Sequence, residues 1–205
     1  MVRIEDHRLI TGKGKFTANI RPTEALVVKF LRSPIACGVI RSIDIKDAIS
    51  MPGVVNIFTA QDMAADGVTH MLDTAKPVRD DGGTVINPRR PILNSSDIKH
   101  LGEPIAIIIA QTSEQADNAL EAIFVDYSDS DSALLSSENT DSPLVWPEGQ
   151  DNYASYHHVG DATKLQKAEA NAAHLITVPI HISRITAVAM EPRISLCDID
   201  PEGKL

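Results

Sequence analysis

The stretch Gly12-Lys13-Gly14-Lys15 contains the residue types that bind phosphate groups. A phosphate-binding loop needs the spacing GxxxxGK[ST], a strand before it and a helix after it. This stretch has neither that spacing nor those flanking patterns. We therefore expect a flexible basic turn.

Histidines are the second set of candidate ligands. His157 and His158 are adjacent, so in an extended segment their side chains point to opposite sides and cannot readily share one ion. Together with His174 and His181, they lack the spacing of a zinc site. No GxSxG nucleophile turn and no paired carboxylates stand out either. We expect no metal ligand, no cofactor-binding residue and no catalytic residue in this chain.

Two segments that contain an acidic residue suggest a structural role instead. In the first, Glu103 stands between Gly and Pro at the entry of an apolar strand; in the second, an acid and a base flank Pro192. One interpretation is a surface turn and a surface ion pair worth under about 1 kcal/mol. The other is a charged pair that fixes one layer of a domain interface. The interface candidates are Gly102, Glu103, Pro104, Met190, Glu191, Pro192 and Arg193.

The composition narrows the class of protein. The net charge of −9 argues against nucleic acid or an anionic membrane as partner. Cys37 and Cys197 lie far apart, so we expect no disulfide framework. The chain starts without a signal peptide, and its longest apolar run, 105–110, is far too short for a membrane span. We expect a cytoplasmic protein.

Apolar periodicity predicts the elements that would position these residues. It predicts strands at 25–33, 38–45, 54–59, 105–110, 124–127, 174–184 and 186–199, and helices at 47–51, 60–65, 113–122 and 161–173. Thr112 and Gln115 form a capping box for the third helix. Strand 105–110, helix 113–122 and strand 124–127 should make a compact β-α-β segment. Residues 3–20 should form an extended arm with turns, and residues 66–97 a loop that lies on a partner.

These elements predict an α+β fold with one core up to about residue 130, a linker, and a second unit that starts near 157. The turn Asp200-Pro201-Glu202-Gly203 should lead into a returning strand, yet only two residues follow it. We interpret the chain as a piece of a longer protein. Residues 194–205 should fray or borrow a strand from a neighbouring molecule, which would allow a homodimer through that edge.

A series of blocks, taken in order, resembles a known family, although no single block is specific. The blocks are RIED (3–6), LITGKGKF (9–16), FLRSP (30–34), IRSID (40–44), MPGV (51–54), LGEPIA (101–106), VDY (125–127), GDA (160–162) and MEPR (190–193). They are similar to the start of the molybdopterin-binding large subunit of the xanthine dehydrogenase, aldehyde oxidase and carbon monoxide dehydrogenase family. The bacterial carbon monoxide dehydrogenase-like branch resembles them most.

The resemblance implies an α/β-hammerhead domain with an N-terminal arm at 1–130, a linker at 131–156, and the truncated start of a molybdopterin-binding domain at 157–205. It implies a molybdenum–pterin cofactor in the full-length family, with [2Fe–2S] clusters and FAD on companion subunits or domains. The expected partners are the remainder of the large subunit, an iron–sulfur small subunit and an FAD medium subunit. The family's pterin loops and catalytic glutamate lie beyond this chain, so we expect the chain alone to bind no cofactor and to be inactive.

The sequence departs from the family at two places. Residues 35–38 (IACG) stand where the family usually carries histidines, and residues 128–132 (SDSDS) replace an acid and prolines. The alternative is a free-standing, non-catalytic interaction or scaffold module, which a self-contained core at 1–130 and the long loop at 66–97 would suit.

Overall fold

The computed structural model describes residues 3–20, 22–72, 76–134, 141–183, 185–189 and 193–203. It divides into two compact units, one of residues 26–164 and the other of residues 1–25 with 165–205. The described residues form the helices α1 (Asp6–Ile10), α2 (Lys46–Ile49), α3 (Ala60–Ala65), α4 (Ser113–Ala122) and α5 (Ala162–Ala170), and the strands β1 (Val27–Arg32), β2 (Gly38–Asp44), β3 (Val54–Thr59), β4 (Asp97–Ile98), β5 (Pro104–Ala110) and β6 (Phe124–Asp129).

The first sheet of unit 26–164 has the antiparallel strand order β1-β5-β3. Its central strand, β5, is almost wholly Ile and Ala, which suits a strand with neighbours on both edges. Ala106, Ile108 and Ala110 pack with Ala116 and Ala119 of α4 in the larger core cluster. Because these helix positions are alanines, the helix can approach the sheet closely, and this layer makes the main core.

On the other face of the first sheet, Ile107 and Ile109 of β5 belong to neither core cluster. The strand register places Val28 opposite Ile109, and Phe30 opposite Ile107, so these four side chains share that face. Val28 and Phe30 are exposed, while the two isoleucines are half-buried. The two faces of β5 therefore differ in how completely they are packed.

The second sheet has the strand order β4-β2-β6. Its core consists of Ile40, Ile98 and Ile105, of which the last comes from β5 of the first sheet. Gly38 opens β2 at a point where a Cβ atom would lie 2.3 Å from the Ser128 carbonyl oxygen. Glycine is therefore required for β2 and β6 to pair this closely.

Most predicted elements of unit 26–164 are confirmed within a residue or two. The Thr112 hydroxyl caps α4 by accepting a hydrogen bond from Gln115 N at 3.2 Å. The strands that flank α4 lie in different sheets, so the β-α-β segment joins two sheets and does not form a single parallel pair. Apart from the short β4, the described part of 66–97 has only isolated bridges, as expected.

The unit of residues 1–25 and 165–205 differs more from expectation. Residues 3–20 contain a 3-10 turn at Thr17–Asn19 and also the helix α1, which the prediction of an extended arm with turns did not include. The described parts of 174–184 and 186–199 form no strand, and those two predictions are wrong for this structure. A strand needs a hydrogen-bonded neighbour, and alternation alone does not supply one. The turn at 200–203 is confirmed by the hydrogen bond from Gly203 N to Asp200 O, 2.9 Å long.

No helix among the described residues is both long enough and apolar enough to span a lipid bilayer.

Candidate functional site

The three buried polar residues of the described chain, Ser33, Asn94 and Glu103, lie together where the two sheets meet. Ser33 follows β1, Asn94 precedes β4, and Glu103 precedes β5. We call these three residues, with Lys99 and His100, the Glu103 junction. Buried polar groups need hydrogen-bond partners, so their clustering indicates a defined arrangement of the strands around them.

The Glu103 carboxylate has partners at both oxygens. Oε2 accepts a hydrogen bond from the Asn94 side-chain amide. Oε1 accepts one from Lys99 N at 3.2 Å and lies 2.8 Å from His100 Nδ1. Asn94 is also satisfied through Asp97 O and Ser96 N. This carboxylate therefore holds the short connection from β4 to β5 in place.

Backbone hydrogen bonds tie the same junction to β1. Ser33 N donates to Glu103 O at 2.8 Å, and Gly102 N donates to Ser33 O at 2.9 Å. Gly102 has φ of +84°, a conformation that glycine adopts without strain, and its carbonyl accepts from Arg32 Nη1. The Gly-Glu-Pro sequence thus makes a turn whose acid points inward, whereas Gly102 and Pro104 stay half-buried.

The interface candidates therefore divide into two sets. Glu103 is only 8% exposed, so the surface-turn interpretation is wrong for it, and its carboxylate partners lie in its own unit. Met190, Glu191 and Pro192 lie outside the described residues, and Arg193 is exposed. An interface role for the seven residues stays a prediction.

A cleft of about 310 Å³ lies beside the junction. Its lining is mainly apolar and includes Cys37, Lys99, His100, Leu101 and Leu144. Lys99 Nζ stands 5.2 Å from the centre of the Trp146 ring, a cation–π contact that attaches the segment after residue 141 to this side of the unit.

Arg79 forms a second buried polar centre, whose side chain is only 2% exposed. It pairs with Asp151 through two bonds of 2.8 and 2.9 Å, and with Asp81 through bonds of 2.8 and 2.6 Å. A fifth bond, of 2.9 Å, runs from Nη1 to Tyr153 O. All five N–H groups of the guanidinium are therefore used, which is the most that an arginine can offer.

The chain segments on either side of Arg79 are paired as well. Tyr156 N donates to Val78 O at 2.7 Å, and Asp80 N donates to Tyr156 O at 2.9 Å. His157 Nδ1 lies 2.7 Å from Asp80 Oδ2. We call residues 78–81 with 151–158 the Arg79 clasp. It closes the long loop at 66–97 onto the segment that leads out of this unit.

Hydrogen bonds from Arg79 lower the pKa of Asp81 to about 2 and also lower the pKa of Asp151. The pKa of Asp80 is lowered by the His158 backbone N–H and then by the His157 side chain. All three shifts favour the charged carboxylate in the folded state. The pairing therefore stabilises the clasp above the ordinary aspartate pKa of about 4, and this stabilisation is lost as pH falls towards about 2.

Acidification should consequently open the clasp before the core. Between about pH 4 and pH 2, we expect pepsin cleavage within 145–160 to increase steeply, while cleavage within β5 stays low. Limited proteolysis with mass-spectrometric mapping of the fragments measures this.

Two variants each remove one arginine from the same loop. Arg79→Gln removes the arginine of the clasp, and Arg89→Gln removes an exposed arginine outside the clasp. Arg79→Gln should be cleaved at pH 4 as fast as the wild type is near pH 2, and Arg89→Gln should follow the wild type. Equal pH profiles for all three proteins would contradict the role of Arg79.

Sequence reasoning missed the clasp because Arg79 and Asp151 are 72 residues apart. The segment 141–158 looks like a linker in composition, yet it carries Asp151, Tyr153 and the Ser155 hydroxyl that bonds to Val78 O. The only local signal was Arg79-Asp80-Asp81 before two glycines, an arginine in an otherwise acidic turn.

Among the described residues, no group of three or more His, Cys, Asp and Glu side chains could hold a metal ion. Gly12 and Gly14 follow a five-residue helix and precede a 3-10 turn, so they do not form a phosphate loop. His157 bonds to Asp80, which gives it a structural role. What these residues can do is hold segments of chain in fixed positions.

Residues 11–131 match the family model described as aldehyde oxidase and xanthine dehydrogenase, a/b hammerhead domain. The nicotine 6-hydroxylase large subunit of Paenarthrobacter nicotinovorans is 27% identical over 204 residues, which are 97% of this chain and 24% of that protein. The carbon monoxide dehydrogenase large chain of Hydrogenophaga pseudoflava is 24% identical over 211 residues, 96% of this chain and 25% of that one.

A crystal structure of a Cu,Mo-CO dehydrogenase in its carbon monoxide reduced state is similar in fold, with a TM-score of 0.65 at 23% identity. The likeness covers 85% of this chain and 22% of that chain. The chain thus spans about a quarter of the length of these relatives.

Proposed function

Because this chain belongs to the aldehyde oxidase and xanthine dehydrogenase family through its hammerhead domain, we propose that it serves as the N-terminal part of a molybdenum hydroxylase large subunit. In that role it binds no cofactor and carries no catalytic residue. Its contribution is to hold a rigid domain beside the part of the subunit that does the chemistry.

The observation that carries this proposal is the family match, together with two buried charged side chains, Glu103 and Arg79, that form structural hydrogen bonds. The match covers residues 11–131, and relatives align with nearly the whole chain. The buried side chains of Asn94, Glu103 and Arg79 are instead engaged in hydrogen bonds within the chain, in the Glu103 junction and the Arg79 clasp. Groups that are fully hydrogen-bonded in place fix geometry and are poorly suited to bind a substrate.

The molybdenum–pterin cofactor would then be held by residues outside this chain. When bound, that cofactor supplies the oxidation–reduction chemistry of a hydroxylase. The [2Fe–2S] clusters and the FAD would belong to an iron–sulfur subunit and an FAD subunit. We propose a cytoplasmic complex, with the remainder of the large subunit as the direct partner of this chain.

Within this complex, the Arg79 clasp would set the direction in which the chain leaves the hammerhead domain. Residues 151–158 are fixed by Arg79, Val78 and Asp80 immediately before residue 160. A rigid exit limits the positions that the following segment can take. We propose that 157–205 opens the molybdopterin-binding domain.

A second candidate function is a free-standing interaction or scaffold module. It is favoured by the self-contained core of the unit 26–164, in which both core clusters and the Glu103 junction are complete. The two candidates differ in what accompanies the chain in the cell.

The test is purification of the chain from its native source through an affinity tag. We expect co-purification of sequence that continues the large subunit, together with an iron–sulfur protein and a flavoprotein. A monodisperse chain without any of these would overturn the proposal and support the scaffold module. The control is the double variant Lys13→Ala/Lys15→Ala. It should co-purify with the same proteins as the wild type, because both lysines lie outside the junction and the clasp.

A further inference from the structure

We infer that the Arg79 clasp and the cleft beside the Glu103 junction are coupled, so that one wall of the cleft stays in place only while the clasp is formed. The element that couples them is residues 143–153, which we call the strap. One end of the strap lines the cleft, and the other end carries Asp151, the partner of Arg79. The inference concerns the unit 26–164 alone and does not depend on the proposed function.

The strap is tied to itself by one side chain. Asn152 Oδ1 accepts a hydrogen bond from Val145 N at 2.8 Å, and Asn152 Nδ2 donates one to Pro143 O at 3.0 Å. Between these positions, Gly149 N donates to Trp146 O at 2.9 Å and closes a turn. A compact loop whose ends are joined by its own side chains moves as one body. A displacement at the clasp end of the strap is therefore passed on to its cleft end.

The cleft end of the strap covers a thiol. Pro143, Leu144 and Val145 line the cleft together with Cys37, which is half-buried. Removing the wall of a cleft exposes the side chains that remain in it. Movement of the strap should therefore make the Cys37 thiol more accessible to a small reagent in solution. Cys197 is exposed and lies in the other unit, so it supplies an internal reference.

The strap is attached to the rest of its unit mainly through the clasp. None of its residues, all of which the structure describes, is buried, so hydrophobic burial contributes little to the attachment. Near the cleft, the attachment is the cation–π contact of Lys99 with Trp146. At the other end, the buried Arg79 guanidinium donates two hydrogen bonds to Asp151 and one to Tyr153 O.

The Arg79 end is the stronger anchor, because paired charge-assisted hydrogen bonds outweigh one cation–π contact near the surface. The two core clusters contain no strap residue. Loss of Arg79 should consequently free the strap while the core stays folded.

Thiol labelling of the full chain tests the coupling. Iodoacetamide alkylates the two cysteines, and mass spectrometry of the peptides gives the labelling rate of Cys37 relative to that of Cys197. We expect Arg79→Gln to raise this ratio about fivefold or more, and Arg89→Gln to leave it within about twofold of wild type. A ratio that Arg79→Gln leaves unchanged would overturn the inference.

Asn152→Ala separates coupling through the strap from general loosening of the loop. This variant keeps the ion pair of the clasp, so hydrogen exchange of the Asp80 and Tyr156 amides should stay within about twofold of wild type. The labelling ratio should nevertheless rise about threefold or more, since the cleft wall loses its tie to the clasp. No rise would show that the strap is not the coupling element.

Hydrogen exchange of the β5 amides in the same samples reports on the core. It should be unchanged in every variant, because β5 is paired on both edges. Faster exchange in β5 that matches the rise at Cys37 would overturn the inference, since the strap would then open only with the whole unit. If Arg79→Gln does not fold, Asp151→Asn takes its place, with an expected rise in the labelling ratio of about threefold or more and the same contradicting outcomes.

Discussion

Replacement of Glu103 by alanine should lower the free energy of unfolding of the chain by about 2–3 kcal/mol, although glutamate is a residue type usually found on the surface. The variant leaves the buried Asn94 side-chain amide and the Lys99 N–H without their acceptor. An unsatisfied buried donor costs about 1–3 kcal/mol, because it has lost water without gaining a partner. Urea unfolding followed by circular dichroism measures the difference.

Glu121→Ala is the matched control, because Glu121 is exposed on α4 and the same atoms are removed. It should change the free energy of unfolding by no more than about 0.5 kcal/mol. Glu103→Gln should fall between the two variants, since it keeps the shape but places an NH₂ group against one of the donors. Equal stability of Glu103→Ala and Glu121→Ala would show that the junction does not hold the sheets together.

Replacement of Ile108 by alanine should have the largest effect on stability, about 4 kcal/mol. Ile108 is fully buried in the central strand of the first sheet and packs in the core cluster beneath α4. Truncation removes apolar contacts and leaves a cavity that the alanines around it cannot fill. The midpoint of urea unfolding should shift with little change in its slope.

Ile107→Ala supplies the control from the same strand and the same residue type. Ile107 is half-buried, alternates with Ile108 along β5 and belongs to neither core cluster. It should cost about 1–2 kcal/mol. If the two variants were equally destabilised, the assignment of the two faces of the first sheet would be wrong.

The elements predicted best are those determined by local pattern. The run of Ile and Ala in β5 and the Thr112 cap of α4 depend on residues close in sequence, and both are confirmed. The predicted capping box is only half formed, because Gln115 Oε1 accepts no return hydrogen bond. The end turn at 200–203 is confirmed for the same reason. In each case the residues that determine the local conformation lie within the element itself.

What could not be predicted depends on residues far apart in the chain. Whether Glu103 lies in a surface turn or is buried depends on Asn94 and Ser33, which come from other strand ends. Arg79 finds Asp151 across a segment that looks like a linker. The strand predicted at 174–184 has the right alternation but no neighbour among the described residues, so its pattern indicates only a tendency to pair.

The molybdenum content of the chain, measured by elemental mass spectrometry after native purification and after expression alone, tests the central claim most directly. We expect near-stoichiometric molybdenum in the native complex and none in the chain expressed alone, because we propose that the residues that hold the cofactor lie outside this chain. Molybdenum bound to the isolated chain would contradict the claim that this part of the subunit only supports the chemistry. A native preparation free of molybdenum would contradict its place in a hydroxylase.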